Sequence, residues 1–424
     1  MKFFHIADLH FGKMLHNVPL TETDQAYWVE QFLQAVDTYE PDAVVIAGDI
    51  YDRRVPPPEA LKLFDHLLTE LSRRDRSVFV IPGNHDSTVR LSHVHELLTS
   101  HHIYIADELG PELTHVTVHA EPADVTFWLL PYLFPRLVAD ERVLNRDDLS
   151  TYDEAARALL DNQHIDTAAC NVLVAHQNVL AGGTHPEHSE SETIIGGVGE
   201  IDASAFDAFD YVALGHIHNA QQMGRETVRY AGCPLYYDFS ELGRSKALTL
   251  VTINGKDDIQ VEKIDIPLLH ELRQFTGCLD ELLAEGTALT DKDRYYIQCI
   301  LTDPYVPPRA LEQLREVYGD ALVNVKRVIT QETAADNPYL TPAADRGLNT
   351  EEQFSLFYQE QRGELPDGTQ ERLIRRILEQ QSRRGSDWAP DVKAVPQEDS
   401  RELLDYLLEM SQGTCPHESE GQVP

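Results

Sequence analysis

The feature that most constrains the fold is a buried strand that ends abruptly in polar side chains. Residues 78–81 (Val-Phe-Val-Ile) form a short apolar run, and the Pro-Gly pair that follows ends it. An amide (Asn84), an imidazole (His85) and a carboxylate (Asp86) come next. Because open α/β sheets bind ligands at the carboxyl ends of their strands, these three side chains are predicted to stand at the edge of a core.

The same arrangement recurs at four other predicted strand ends. The polar residues at those ends are Asp8, His10, Asp49, His176, His216 and His218. This set offers carboxylate, imidazole and amide ligands without a thiolate, and it suits Mn, Fe, Zn or Mg. With His85 set aside, the ligands are too many for one ion but suit two ions that share a carboxylate, an arrangement used in phosphoryl transfer.

The strands alternate with helical patterns, which predicts an α/β fold with a mainly parallel sheet and helices on its faces. Helices are predicted at 24–39, 59–74, 90–100 and 153–163 from the spacing of apolar residues. Two strands, near 228–239 and 246–253, have an antiparallel pattern.

The sequence pattern of alternating strands and helices changes after residue 267, which predicts a domain boundary there. Residues 1–267 form the predicted first domain, and 268–335 have the pattern of a small α+β module. A Pro-containing linker is predicted at 336–348, a helical region at 349–384, and a tail with one helix at 385–424.

Charge limits the classes of function. The chain of 424 residues has a net charge of −36, and only nine of its 35 basic residues are lysines. Most of such a surface repels nucleic acid, which argues against a protein that simply coats DNA. A nuclease is not excluded, because bound divalent cations invert the local sign of the charge.

Other features of the sequence favour a cytoplasmic protein. The sequence has no apolar run of 18 residues and no signal-peptide pattern at its start. The five cysteines are scattered without a CxxC pair, which predicts free thiols in a reducing cytoplasm and no cysteine metal site.

The motifs resemble a known signature. Five short motifs are similar to those of calcineurin-like metallophosphoesterases. They are Asp8-x-His10, Gly48-Asp49-x-x-Asp52, Gly83-Asn-His-Asp86, His176 and Gly215-His-x-His218. Four segments also resemble the SbcD family of bacterial nuclease subunits, namely residues 4–12, 211–221, 230–235 and 239–241. The resemblance implies a β-sandwich core flanked by helices, followed by a small α+β capping domain that contacts DNA and by C-terminal helices.

The resemblance also implies a ligand set for two metal ions. The first ion would be held by Asp8, His10, Asp49 and His218. The second would be held by Asp49, Asn84, His176 and His216, so that Asp49 bridges the two. Manganese fits the resemblance, although the ligands alone permit other ions.

Four further residues have implied roles near the substrate. By the resemblance, His85 would protonate the leaving sugar oxygen or stabilise charge there, and Asp52 would orient His85. Arg53 occupies the position of a phosphate-contacting arginine, although a solvated loop arginine is an equally good interpretation. His16 is close to the site in sequence and is a weaker candidate for substrate contact.

The resemblance implies several partners. An SbcD-type subunit is an exonuclease and endonuclease that cleaves DNA ends and hairpins in repair, replication and recombination. It works in a heterotetramer of two nuclease and two SbcC-type ATPase subunits. The helices near 59–74 and 90–100 would form a homodimer, and the apolar stripes at 349–384 would dock on SbcC.

Two other functions stay open: a phosphatase or cyclic-nucleotide phosphodiesterase on the same core, and a metal-dependent scaffold without activity. Arg54, Pro82 and Asp86 depart from the protein-phosphatase motifs. The long extension after residue 267 favours the nuclease over a small cyclic-nucleotide enzyme. The scaffold is disfavoured because every ligand position is filled.

Overall fold

A computed structural model of the protein describes residues 1–192, 199–256, 258–303 and 307–328, together with Ser355, Pro366, Gly368, Gln370 and Arg372. The chain divides into two compact units, Met1–Val328 and Ile329–Pro424. The predicted linker at 336–348 and the predicted tail at 385–424 lie outside the described residues, and so does the helical region at 349–384 apart from the five residues named above. In the described part of the chain, no helix has both the length and the apolar character needed to cross a membrane.

The described residues form nineteen strands and eight α-helices. The strands are β1 (Lys2–Ile6), β2 (Met14–Leu15), β3 (Val18–Pro19), β4 (Ala43–Ala47), β5 (Ser77–Ile81), β6 (Ile103–Ile105), β7 (Thr114–Val118), β8 (Val125–Leu130), β9 (Cys170–His176), β10 (Asn178–Leu180), β11 (Glu200–Asp202), β12 (Tyr211–Gly215), β13 (Gln222–Met223), β14 (Arg225–Tyr230), β15 (Ala247–Gly255), β16 (Asp258–Asp265), β17 (Glu271–Gly277), β18 (Tyr295–Leu301) and β19 (Leu322–Arg327). The helices are α1 (Ala26–Tyr39), α2 (Pro58–Arg73), α3 (Thr88–Ser92), α4 (His95–Thr99), α5 (Pro135–Ala139), α6 (Tyr152–Asp161), α7 (Leu279–Ala288) and α8 (Ala310–Tyr318).

Two six-stranded sheets form the core. The first has the order β16-β15-β1-β4-β5-β6, and the second has the order β13-β14-β12-β9-β8-β7. In the first sheet β1, β4, β5 and β6 run parallel, and in the second β8, β9, β12 and β14 do. The carboxyl ends of the central strands of each sheet therefore lie at one edge, as the pattern of polar strand ends requires.

An apolar layer lies between the sheets and makes the core a sandwich. The ring of Phe127 in β8 lies 4.1 Å from Phe79 in β5 and 5.4 Å from Phe3 in β1, measured between centroids. The next residue along β1, Phe4, faces the opposite side and contacts Phe32 of α1 at 5.6 Å. Side chains of a strand alternate between its faces, so β1 packs on the other sheet and on a helix at once. The predicted α/β sandwich flanked by helices is confirmed.

The predicted helix at 90–100 differs from the structure, which has the two short helices α3 and α4 there. The break falls at Val94, whose φ and ψ are −124° and 18°. The imidazole Nδ1 of His93 lies 2.6 Å from the Arg90 carbonyl oxygen, and that of His95 lies 2.6 Å from the Ser92 carbonyl oxygen. These local side-chain bonds compete with the helical backbone ladder and interrupt it.

A small module follows the sandwich within the first compact unit. Strands β17, β18 and β19 form a parallel sheet, and α7 and α8 pack on it around the buried Leu282, Ile297 and Leu314. The buried carboxylate of Asp24 joins this module to the sandwich. It accepts a hydrogen bond from the Tyr296 hydroxyl at 2.6 Å and lies 2.9 Å from Nδ1 of His270.

Replacing Tyr296 with Phe removes one hydrogen bond to the buried Asp24 carboxylate. Since a hydrogen bond to a charged group contributes about 1.5–3 kcal/mol, we expect the free energy of unfolding of Y296F to fall by roughly that amount. Tyr295→Phe is the matched control, because the Tyr295 hydroxyl is exposed and lies 3.5 Å from Asp291. Urea unfolding of both variants measures the difference, and equal stabilities would contradict the prediction.

Candidate metal centre

The two sheets touch where β4 of the first meets β9 and β12 of the second. The His176 imidazole, at the end of β9, donates from Nδ1 to the Ala47 carbonyl oxygen of β4 at 2.8 Å. Gly215 ends β12 against the same carbonyl, and a Cβ atom there would lie 1.9 Å from the Ala47 oxygen. The absence of a side chain at this position lets the strand ends of both sheets meet at one place.

The first cluster of predicted ligands consists of Asp8, His10 and His218, all buried. One ligand atom of each lies within 4.8 Å of the others. The Nε2 atoms of His10 and His218 face each other at 3.1 Å, and Nδ1 of His10 is buried without a hydrogen-bond partner. Two imidazole nitrogens that converge beside a carboxylate are arranged as ligands of a transition-metal or zinc ion.

The second cluster, of Asp49, Asn84, His176 and His216, lies beside the first, and its Asp49 approaches a histidine of each cluster. The Oδ2 atom of Asp49 is 3.3 Å from Nε2 of His176 and 3.6 Å from Nε2 of His10. Asn84 Oδ1 lies 3.1 Å from Nε2 of His176 and 3.0 Å from Nδ1 of His216. Asp49 therefore lies between the clusters, where a bridging ligand is needed. All seven predicted ligands come together.

Several of these residues have unusual backbone conformations. The φ angles are 53° at Asp8, 43° at His10, 50° at Asp49 and 100° at His216. Positive φ is uncommon for residues other than glycine and persists only where the surrounding structure enforces it. Here the Asp8 N–H donates to the Gly48 carbonyl at 3.0 Å, and the His10 N–H donates to the Asp49 carbonyl at 2.9 Å.

The loop after β5 is fitted closely around Asp49. A Cβ atom at Gly83 would lie 2.2 Å from Asp49 Oδ1, so only glycine fits there. The buried Asp86 carboxylate accepts hydrogen bonds from the backbone N–H groups of Gly83, Ile50 and Tyr51, at 2.9 to 3.0 Å. Asp86 thus ties the loop after β5 to the loop after β4 and is not among the clustered ligands.

The pKa values show how burial and charge compete in the site. Burial raises the pKa of Asp8 to about 6, and burial together with the nearby His176 lowers the pKa of His216 to about 3. Burial also acts to lower the pKa of His176, but the Asp49 carboxylate outweighs it and raises the value to about 9. Buried carboxylates beside convergent imidazoles form a site that divalent cations neutralise, so these residues fit a pair of such ions.

His85 lies at the rim of the site, half-buried. Its backbone N–H donates to Asp49 Oδ1 at 2.9 Å, and its Nδ1 lies 2.9 Å from the Asp52 carbonyl oxygen. Because a carbonyl only accepts hydrogen bonds, Nδ1 carries the proton. Asp52 was predicted to orient His85, and the contact that the structure shows is with its backbone carbonyl. The Asp52 carboxylate is 2.8 Å from Nζ of Lys13 and 3.9 Å from Nδ1 of His10.

Arg53 and His16, the two other predicted substrate contacts, are more exposed to solvent. The Arg53 side chain is 59% exposed, and its guanidinium is 4.0 Å from the Asp52 carboxylate. His16 is exposed, and its ring stacks on Phe239 with 5.7 Å between centroids. Neither is part of the two clusters of predicted ligands.

A buried network of hydrogen bonds and an ion pair lies behind His218, and it was not predicted from the sequence. Nδ1 of His218 lies 2.8 Å from the Ser191 hydroxyl, which donates to Glu241 Oε1 at 3.0 Å. The Lys246 ammonium is 2.7 Å from Glu241 Oε2. Burial alone would raise the pKa of Glu241, but Lys246 and His218 lower it to about 2. The charged pair thus fixes the His218 ring through Ser191, with Nε2 turned towards His10.

A signal for this network was present in the sequence. Residues 239–241, which contain Glu241, resemble the SbcD family, but no role followed from that resemblance alone. The network depends on Ser191, which is distant from Glu241 in the chain and lies in a polar, Gly-rich stretch. Only the folded structure brings these two side chains behind His218.

Comparison with known families assigns most of the chain. A family model described as calcineurin-like phosphoesterase matches residues 1–220. A second model, SbcD_C, described as the type 5 capsule protein repressor C-terminal domain, matches residues 269–362. Together the two matches are consistent with an SbcD nuclease.

The solved structures to which the chain is similar are distant from it in sequence. A dimetal phosphatase from Danio rerio is 14% identical over 63% of this chain and 98% of its own, with a TM-score of 0.38. The phosphoesterase YfkN from Bacillus subtilis is 10% identical over 62% and 90%, with a TM-score of 0.35. A candidate 5′-nucleotidase from Staphylococcus aureus, in complex with alpha-ketoglutarate, is 12% identical over 63% of this chain, with a TM-score of 0.36, and this chain spans only 54% of its length. Similarity at this level identifies no substrate.

Replacing Ser191 with Ala removes the hydroxyl that bridges His218 Nδ1 to Glu241 and leaves the longer, direct 3.7 Å approach of that nitrogen to Glu241 Oε1. Loss of a partner that orients a ligating histidine typically weakens metal binding by roughly 10- to 100-fold, and we expect that loss of Mn²⁺ affinity in S191A. Ser240→Ala is the control, because the Ser240 hydroxyl accepts a backbone bond from Glu190 and, within the described part of the chain, has no hydrogen bond to an imidazole. Calorimetric titration with Mn²⁺ measures both variants, and an unchanged affinity of S191A would count against the network.

Proposed function

The chain belongs to the calcineurin-like phosphoesterase family, and from this premise we propose that it is a two-metal DNA nuclease of the SbcD type. The observation that carries the proposal is the pairing of two matches in one chain, the phosphoesterase model on residues 1–220 and the SbcD_C model on 269–362. The first supports phosphoester hydrolysis. The second supports the nuclease branch over phosphatases and cyclic-nucleotide phosphodiesterases.

The proposed ligands follow the two clusters. Asp8, His10 and His218 would hold one ion, and Asn84, His176 and His216 would hold the other. Asp49 would contribute to both, since its Oδ2 atom is within 3.6 Å of a histidine from each set. When bound, such a pair of ions supplies Lewis-acid stabilisation of the charge on the phosphoryl oxygens. We favour Mn²⁺ because it fits the resemblance to the SbcD family, and the ligand set alone admits other divalent ions.

The proposed role of His85 follows from its tautomer. With Nδ1–H donated to the Asp52 carbonyl at 2.9 Å, the ring is oriented so that Nε2 is the nitrogen left for the substrate. When Nε2 carries a proton, the ring can donate from it to a leaving sugar oxygen, as a general acid does. Lys13 holds the Asp52 carboxylate at 2.8 Å and so fixes the loop that carries the carbonyl.

The proposed partners are DNA, an SbcC-type ATPase and a second copy of the chain. Exposed apolar side chains support the homodimer surface on α2, α3 and α4, where Leu61, Val89 and Leu97 are 46%, 62% and 67% exposed. Apolar side chains gathered on a surface favour association. We propose that residues 349–384 dock on the ATPase, from their apolar sequence pattern and from the overlap of the SbcD_C match with this region.

A substrate panel tests the proposed function. We expect the purified protein with Mn²⁺ to cleave single-stranded DNA, to cleave duplex ends and hairpins when its ATPase partner is added, and to lose activity with EDTA until Mn²⁺ is restored. Cyclic nucleotides and a phosphatase reporter should be poor substrates. Rapid hydrolysis of either one without cleavage of DNA would establish the alternative function and overturn the nuclease.

Two substitutions separate metal binding from proton transfer. We expect His85→Ala to keep both ions and to lower kcat by roughly 10²–10⁴-fold, the usual contribution of a general acid. Asp49→Asn keeps the side-chain volume but removes the bridging charge, so it should lose metal as well as turnover. Metal content by mass spectrometry beside kcat for DNA distinguishes the two, and equal metal loss would refute the separate roles.

A further inference from the structure

Three aromatic rings contact one another beside the second cluster of predicted ligands, and one of them contacts two of those ligands. The Tyr132 ring is 6.2 Å from the His176 ring and 6.0 Å from the His216 ring, measured between centroids. Phe134 lies 4.9 Å from Tyr132, and Tyr152 lies 6.3 Å from Phe134 and 6.4 Å from Tyr132. We call Tyr132, Phe134 and Tyr152 the aromatic ledge. It continues the candidate metal centre on its second-ion side.

The aromatic ledge is held rigidly in place. Tyr132 follows the end of β8, and its backbone N–H donates to the Pro82 carbonyl at 3.1 Å, two residues before Asn84. Leu133, between the two ledge residues of this segment, is fully buried and anchors it in the core. Tyr152 opens α6, whose start is fixed by a capping box. The rings therefore have defined positions relative to the predicted ligands.

The outermost ring of the aromatic ledge is open to solvent. Phe134 is 43% exposed, whereas Tyr132 and Tyr152 are half-buried beneath it. A single exposed apolar residue is ordinary, but this one meets, edge to face, a ring that in turn contacts two predicted metal ligands. Arg136, two residues on, is also exposed. An exposed aromatic ring with an exposed cation two residues away in the chain matches a nucleotide better than an uncharged ligand.

We propose that the aromatic ledge stacks an unpaired nucleobase next to the phosphate that the site cleaves. This inference rests on the proposed nuclease function and assigns Phe134 as a substrate-binding residue. Stacking on a π-face is available to every base, so it positions a strand without reading its sequence. A base inside a duplex already stacks on its neighbours, so the ledge selects for single strands and frayed ends.

The test uses the full-length protein with Mn²⁺ and short single-stranded oligonucleotides in which one abasic site is moved along the strand. Two variants are compared, Phe134→Leu, which keeps apolar volume without a π-face, and Phe134→Tyr, which keeps the ring. For the intact oligonucleotide we expect KM of F134L to rise roughly 10- to 100-fold, in line with the loss of one stacked base, with F134Y close to wild type.

The abasic positions identify the stacked base. At one position near the cleaved bond, the abasic site should raise KM of the wild type by the same factor yet leave F134L unchanged, because the two losses are not additive when they remove one contact. If F134L matches wild type on the intact strand, or if its KM responds to every abasic position as wild type does, the stacking inference is overturned. If the wild type cleaves no DNA, the nuclease proposal fails and this inference fails with it.

Discussion

The candidate site depends on one close approach between the two sheets, at the Ala47 carbonyl. That oxygen accepts a hydrogen bond from His176 and lies against Gly215, so strands from both sheets end within contact of each other. A methyl group at Gly215 would occupy the same space as the Ala47 oxygen. Overpacking of this kind typically costs about 1–3 kcal/mol and moves the backbone. Any such movement would separate His176 and His216 from Asp49.

The close approach also explains why the site contains buried charges and strained backbone, both of which reduce the stability of the fold. Asp8, Asp49 and His176 are buried together, and Asp8 and Asp49 have positive φ angles. Buried charges are costly unless they are paired, and strained backbone persists only where its surroundings enforce it. Bound divalent cations would offset the carboxylate charge, so metal binding and the stability of this region should be linked. The apolar layer between the two sheets supplies the remaining stabilisation of this region.

Much of this arrangement could be predicted because short apolar runs followed by polar residues mark strand ends. Parallel strands bring such ends to one edge, which is how Asp8, Asp49 and Asn84 could be grouped before the fold was known. What could not be predicted depends on the backbone or on distant pairs. His85 is held by a carbonyl of Asp52, which no side-chain pattern encodes. The predicted helix at 90–100 divides because histidine rings bond locally to the backbone.

Because the chain has a net charge of −36, the binding of a polyanion depends on the charges close to the binding site. At an ionic strength of 0.1 M, charges more than about 10 Å away are largely screened, so the distant acidic surface has less influence than the groups that touch the substrate. Ions held by Asp8, Asp49 and their histidines would reverse the sign of the field where a phosphate binds. Contacts that do not depend on charge, such as the base stacking proposed for Phe134, gain importance in a chain with so few lysines. The proposed nuclease function is therefore consistent with an acidic chain whose site would combine metal ions with an aromatic surface.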